Sequence, residues 1–350
     1  MLDEAKVRRK LRLAEETVKR CIGRNGFYAG TQLYQKQYWI RDLAYSLEPL
    51  LDSGFSDVVK RHLEYTLHRQ KMSGEIPERI IQMPPSISGI ILLAKTLLRR
   101  NPSLLIRYIP TYDSDLLMLI SIHRYVEQTQ TVGFKERYAE QIKSIWRHLD
   151  TLLIDGLLPE ADWRDAMLNY VSKKTFCNQV LLITANRLAG RRSEVQEGKR
   201  LVNSVFWDEN LGYYQDYPGS TRFDTLGHSL AILEDIVPKK RFEGVIQALQ
   251  ESSTRFGFRN IRPSYPEREC GQAPEYYQNS TVWPFIQGYA IASLVKVGLY
   301  DIAEEEFRKF TDLPGFNEWY NPSTGLPRGS EGQLWSAAAY IRAYKSLINL

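Results

Sequence analysis

Two kinds of helical segment alternate along this chain, and that alternation restricts the fold more than any other feature of the sequence. Phe242, Val245, Ile246 and Leu249 recur at i, i+3, i+4 and i+7, with Glu243, Gln247 and Gln250 on the other side, the pattern of a helix with one apolar face. The stretch around Ile302, Ala303, Phe307 and Phe310 repeats it among Glu and Lys. Phe176 to Leu188, Val282 to Val295 and Leu334 to Ile348 are instead apolar nearly all round, and a helix apolar on every side has protein on every side. Such apolar segments begin near Trp39, Asp113, Phe176, Asp224, Trp283 and Leu334. Each is preceded by a longer stretch rich in Gly, Pro, Tyr and Asp, and each but the last is followed by an amphipathic helix. The N-terminal segment supplies the missing partner, so the first helix should dock against the last. One further helix is expected near Ile87 to Arg99, and no strand-like alternation of any length appears. Six buried helices inside six amphipathic ones predict an all-α toroid, an (α/α)6 barrel. Its six entry loops share one end, where helix N-termini face whatever binds. No linker interrupts the pattern, so residues 1–350 are expected to form a single domain.

Composition narrows the setting. The chain has 350 residues, 43% hydrophobic and 25% charged, which is ordinary for a globular protein with a sizeable core. No run approaches the roughly 18 to 20 apolar residues of a membrane helix, and Met1 to Arg20 is charged rather than a signal peptide. Neither a membrane nor a secretory route is expected. Cys21, Cys177 and Cys270 are odd in number and far apart, which argues against a disulfide framework and for a reducing, cytoplasmic location. The five histidines form no metal-binding spacing, so no metal and no cofactor is expected. Lys6, Arg8, Arg9, Lys10 and Arg12 read as the solvated face of an exposed first helix rather than a nucleic-acid patch, because no aromatics interleave with them.

The entry loops hold the unusual residues. Five of the seven tryptophans (Trp39, Trp163, Trp283, Trp319 and Trp335) lie there or in the first turns of the apolar helices, beside Asp42, Asp113, Asp115, Asp162, Asp165, Asp224 and Glu318. Aromatic faces beside carboxylates suit a sugar, which offers an apolar face and a rim of hydroxyls. The plainer alternative is that the tryptophans plug the barrel and aspartates such as Asp113 and Asp224 cap helices. Two loops stand out, 159–167 and 315–325, because each sets a carboxylate beside tryptophan. Inverting glycoside hydrolysis needs such a pair about 6.5 to 9.5 Å apart, one protonated to serve the leaving oxygen and one ionised to activate water. An apolar neighbourhood suits the acid, and polar neighbours such as Asn317 and Tyr320 suit the base.

Five blocks occur in order: Tyr38-Trp39-Ile40-Arg41-Asp42, Asp162-Trp163-Arg164-Asp165-Ala166, Asn279-Ser280-Thr281-Val282-Trp283-Pro284, Asn317-Glu318-Trp319-Tyr320-Asn321, and Gly332-Gln333-Leu334-Trp335-Ser336-Ala337-Ala338. From about Tyr38 to the C-terminus the chain thus resembles the α-glucosidase domain of glycogen debranching enzymes and its relatives, the processing glucosidases and neutral invertases. The resemblance implies an (α/α)6 barrel and inversion of configuration. It places the general acid at Asp165, with Asp162 as a supporting or sugar-binding group, and the base at Glu318. It places Arg41 and Asp42 on the hydroxyls of the terminal sugar, an Arg41–Asp42 ion pair being the alternative. Trp283 and Trp335 match aromatic walls of the subsite, and Tyr38, Trp39, Asp115, Trp163, Gln278 and Trp319 complete the expected sugar-binding set. One departure stands out: the block often written Y-H-N-G reads Tyr277-Gln278-Asn279-Ser280 here, so no role of that histidine carries over.

The expectation is therefore an exo-acting, inverting glycoside hydrolase for a glucoside or a small disaccharide. A disaccharide phosphorylase and an inactive sugar-sensing or protein-binding barrel are the competing readings. A carboxylate base would be unwelcome where phosphate attacks, so Glu318 speaks against the first. The presence of both carboxylates speaks against the second.

Overall fold

The computed structural model describes residues 3–82 and 111–348, so the helix expected near Ile87 to Arg99 lies outside the described residues. Among the described residues, twelve helices carry the architecture. They are α1 (Glu4–Arg20), α2 (Ile40–Asp52), α3 (Ser56–Leu67), α4 (Asp113–Thr129), α5 (Ala139–Leu152) and α6 (Phe176–Leu188), followed by α7 (Arg192–Val205), α8 (Thr225–Leu233), α9 (Phe242–Glu251), α10 (Pro284–Lys296), α11 (Tyr300–Asp312) and α12 (Leu334–Ile348). The even-numbered helices pack in a closed ring, α2 on α4, then α6, α8, α10, α12 and back to α2. The chain folds as an (α/α)6 barrel. Apolar periodicity explains which helix goes where. All residues of α6 from Phe176 to Asn186 and of α10 from Pro284 to Leu294 are buried. In α7 only Val195 and Val202 are buried, and its charged side faces water.

Within the ring, α10 and α12 approach most closely because Gly288 faces Ala339. A Cβ on Gly288 would stand 2.7 Å from the Ala339 carbonyl oxygen, so only glycine allows this spacing. The ring closes as the first-to-last docking requires. Helix α1 packs on α12, Leu334 N–H donates to Ala29 O (2.9 Å) and Thr31 N–H to Gly332 O (3.1 Å). Here the basic run departs from expectation. Arg8, Arg9 and Arg12 are exposed, but Lys10 is buried, lies over the Phe316 ring and donates to the carbonyls of Leu313 and Gly315. Carbonyls left open where α11 ends draw it in. Burial, with Lys6 nearby, lowers its pKa to about 8.

Among the described residues, strands are confined to antiparallel pairs of two or three residues in the loops. They include β1 (Gln37–Trp39) with β2 (Arg79–Ile81), and β3 (Trp319–Tyr320) with β4 (Pro327–Arg328). These pairs stiffen the loops at the end where the even helices begin. At the opposite end the even helices contribute polar residues to a closed network. Arg124 holds Glu48 (2.6 Å) and Glu234, Arg187 also holds Glu234, and Arg342 holds Glu48 and donates to the Tyr289 hydroxyl (3.2 Å). Cations here also complement the negative C-terminal ends of the helices. Ion pairs thus tie the inner helices together at the floor of the barrel, and the other end carries the entry loops.

Candidate active site

A cavity of about 520 Å³ opens among the entry loops, lined by Ala29, Tyr34, Trp39, Arg41, Asp42, Trp163, Asp165, Tyr277, Gln278, Trp283, Glu318, Gln333 and Trp335. Nine residues singled out from the sequence meet here: Trp39, Arg41, Asp42, Trp163, Asp165, Gln278, Trp283, Glu318 and Trp335. Their aromatic wall is continuous. Trp163 stands edge-on to Trp283 (4.9 Å between ring centres), and Trp335 stacks on Phe285 (4.2 Å). Among the described residues, the buried indole N–H groups of Trp163 and Trp335 and Oε1 of Gln333 have no hydrogen-bond partner in the protein. A buried polar group without a partner is costly, and sugar hydroxyls are the kind of group that satisfies it.

Glu318 is held almost entirely by neutral donors. The Tyr34 hydroxyl donates to its Oε1 (3.0 Å), Ser330 N–H donates to its Oε2 (3.1 Å), and Tyr277 adds a further hydrogen bond. Burial pushes its pKa up and these donors pull it back, while the nearby Asp165 adds to the rise. Asp42 sits close by, with its Oδ1 accepting from Gln333 Nε2 (3.3 Å). Burial and the Glu318 charge hold its pKa well above the usual range. The polar neighbours expected for the base were Asn317 and Tyr320, but Tyr320 instead bonds Asn317 N–H and Pro314 O within its own loop.

Asp165 sits in a different setting from the apolar one expected. Its Oδ2 accepts from Arg41 Nη1 (2.8 Å) and its Oδ1 from Gln278 Nε2 (3.3 Å). Arg41 does not pair with Asp42. Its Nε and Nη2 form a fork on Asp113 (2.7 and 2.9 Å), and Nη1 also reaches Glu78 (2.8 Å). Asp113 is accordingly not a cap, whereas Asp224 is, its carboxylate accepting from Leu226 N–H (3.1 Å). Gln278 braces the loop of Asp165, accepting from Ala166 N–H (3.0 Å) and donating to Trp163 O (2.9 Å). Behind that loop, Arg164 is fully buried against Asp162, Asp216 and Asp224. Asp162, Cys177 and Asp224 come within 4.8 Å of one another, and the Arg164 guanidinium already lies against both of these carboxylates.

Four predicted residues are not brought to the cavity. Tyr38 points the other way from Trp39 along β1, as strand alternation demands, and packs on Tyr28, His62 and Tyr65. Trp319 is likewise turned away from Glu318, against Tyr276 and Tyr277. Asp115 accepts from Ile76 N–H (2.6 Å) and faces His148, and Asp162 is spent on Arg164. Tyr34, Tyr277, Gln333 and Glu78 were missed. Tyr277 and Gln333 adjoin recognisable blocks, but Tyr34 and Glu78 carry no local signal.

Residues 181–336 match the model of the mannosylglycerate hydrolase MGH1-like glycoside hydrolase domain. The match is to a glycoside hydrolase domain and spans just under half of the chain. Solved structures agree on the fold across its length. A glycosidase solved with glucose is 14% identical over 100% of both chains, with a TM-score of 0.73. A GH63 mannosylglycerate hydrolase from Thermus thermophilus, solved with Tris and D-glycerate, is 15% identical over 95% of this chain and 99% of that one, with a TM-score of 0.67. No curated protein matches the sequence. No helix among the described residues is long and apolar enough to cross a membrane.

Proposed function

We propose that this chain is an exo-acting glycoside hydrolase that inverts configuration, with Asp165 as general acid and Glu318 as general base, and that it cleaves a glycoside with a small aglycone. The observation that carries this is the presence of both carboxyls in one tryptophan-walled cavity. Glu318 is furnished with donors that favour its ionised form. In this reading Trp283, Trp335 and Trp163 hold the sugar ring, while Asp42, Arg41 and Gln333 meet its hydroxyls. Asp165 gives its proton to the leaving oxygen, and Glu318 takes one from the attacking water on the opposite face. The structural relatives, one holding glucose and one a mannosylglycerate hydrolase, put glucosides and mannosides of small polar aglycones at the head of the substrate panel. Sucrose and trehalose complete it. Three buried, unbridged cysteines suit a cytoplasmic setting, and the closed ring suits one working domain.

The test is kinetic and stereochemical. Asp165→Asn and Glu318→Gln should each lower kcat by about 10² to 10⁴-fold on a substrate with a poor leaving group. Only Asp165→Asn should recover on a glycosyl fluoride, whose leaving group needs no acid. NMR of the first-formed sugar should show the anomer opposite to that of the substrate. Retention would refute the mechanism, and recovery by Glu318→Gln instead would exchange the two roles.

A further inference from the structure

Asp165 presents a chemical difficulty as a general acid, because a guanidinium donates to it at 2.8 Å while the acid has to hold a proton of its own. The rest of the cluster answers it. Arg41 is one cation facing three carboxyls, those of Asp113, Glu78 and Asp165. Its Nε and Nη2 are committed to Asp113 as a two-point fork, which leaves Nη1 for both remaining carboxyls at 2.8 Å each. One nitrogen cannot neutralise two carboxylates, and two carboxyls in hydrogen-bond contact do not both ionise near neutral pH. Glu78 and Asp165 are in such contact.

The fold makes this pairing deliberate. Strand β2 sets Arg79 opposite Trp39, and Glu78 O accepts from Ile40 N–H (3.2 Å), so Glu78 comes level with Ile40 and next to Arg41. Glu78 does not line the cavity. Its side chain is 26% exposed, against 8% for Asp165, so it is the member of the pair more open to water.

We propose that Glu78 is a positioning residue that shares one proton with Asp165 and resupplies it after each turnover. The cycle balances. Asp165 gives its proton to the glycosidic oxygen, which keeps the electron pair of the breaking bond to the anomeric carbon. The attacking water forms the new bond to that carbon and loses its proton to Glu318. Glu78 then passes its proton to the Asp165 carboxylate and regains one from solvent, while Glu318 releases its own. Burial, with Asp165 and Asp113 adding to it against the pull of Arg41, raises the Glu78 pKa to about 7, where a group can both hold and yield a proton. These are the charged groups that face it from α2, α4 and the 159–167 loop.

The inference rests on Asp165 being the acid, and the experiment separates the two. Glu78→Gln keeps an acceptor for Arg41 but cannot carry the proton, so Asp165 is left beside Arg41 alone. On p-nitrophenyl and alkyl glycosides of the active sugar, the alkaline limb of kcat/KM should move to lower pH. Activity at pH 8 should fall about tenfold or more for the alkyl glycoside and much less for the glycosyl fluoride. Glu78→Asp, which retains a carboxyl, should restore the limb toward wild type. Equal loss on all three substrates with unmoved pH limbs would mean that Glu78 only steadies Arg41, and would overturn the proposal. So would a Glu78→Gln enzyme indistinguishable from wild type. If Asp165→Asn itself shows no dependence on the leaving group, the acid assignment has failed rather than the relay.

Discussion

Replacing Tyr34 with Phe isolates one donor to the proposed base. The Tyr34 hydroxyl lies 3.0 Å from Glu318 Oε1, while its ring, edge-on to Trp39 at 5.9 Å, would be retained by Phe. A hydrogen bond to a charged group contributes about 1.5 to 3 kcal/mol. The protonated carboxyl can also bond Tyr34, so the difference between the two forms is smaller, about 1.4 kcal/mol or a tenfold change in proton affinity. The donor favours the carboxylate, so its loss raises the pKa of Glu318. A base works only when ionised, so the variant loses activity at higher pH as the medium is acidified. We therefore expect kcat/KM of Tyr34→Phe to fall about tenfold below wild type on the acid limb and to lie within a few-fold of it on the plateau. The assay is a pH series on one substrate for both enzymes. An acid limb that stays in place, or moves to lower pH, would refute the reasoning.

Other perturbations test the scaffold around the site. Arg164→Met leaves Asp162, Asp216 and Asp224 buried without their cation and should cost about 3 to 5 kcal/mol in denaturant unfolding. Asp224, which burial has already raised to about 7, can protonate and hold the loss near the lower end; a loss below about 1 kcal/mol would mean that the cluster is not a cohesive one. Glu48 is held down to about 2, chiefly by Arg342, so its contribution is complete above the ordinary 4.5 and is lost as pH falls through about 2. Glu48→Gln should therefore flatten the acid loss of stability over that window, and an unchanged profile would remove Glu48 from the account. Gly329 and Gly315 both have positive φ, +70° and +61°, but an added Cβ would clash with Glu318 Oε2 at the first and meet nothing nearer than 3.4 Å at the second. Both Ala variants should lose about 1 to 2 kcal/mol of stability, and only Gly329→Ala should also lose most of its kcat; equal kcat in the two would show that Glu318 has room to move.

The barrel was legible because its information is local. An all-apolar α6 or α10 can lie only inside, and an amphipathic α9 or α11 only outside, so periodicity sorted the helices into two layers without any long-range contact. The cavity tryptophans were legible for a related reason, since most of them sit at the starts of those inner helices. What failed was the finer geometry. Tyr38 was assigned to the cavity with its neighbour Trp39, yet a strand sends adjacent side chains to opposite faces, and Trp319 packs on Tyr276 and Tyr277 instead of lining the cavity. Arg41 reads like a partner for Asp42 because the two adjoin in sequence. Adjacent positions on a helix diverge by about 100°, and its partners come instead from Glu78, Asp113 and Asp165. Tyr34 reaches Glu318 across 284 residues of chain, and Glu78 reaches Arg41 only through the β1–β2 pairing. Neither spacing leaves a mark on the sequence. The ion-pair floor was missed for the same reason: its members are single charges scattered over the helices, and only ring closure shows that they meet.

In the proposed mechanism the two carboxyls are tuned by different physics, and the difference follows from their tasks. Glu318 must be ionised at the start of each cycle and accept a proton within it. Neutral donors from Tyr34, Tyr277 and Ser330 stabilise the charge, yet none of them is a cation that would keep the proton off altogether. Asp165 must begin protonated and end as an anion. A wholly apolar pocket would favour the first state but penalise the second, leaving the anion formed in the transition state without support. Arg41 supplies that support at 2.8 Å, and the excess of carboxyls around it keeps a proton in the cluster beforehand. The arrangement works only if the loop of Asp165 is fixed relative to Arg41. Gln278 braces that loop from the cavity side, and Arg164 pins it from behind by pairing with Asp216 and Asp224 on other segments. The buried ion pairs behind the acid are therefore best understood as setting its position, since pairs of this kind are weak sources of net stability but strong constraints on geometry.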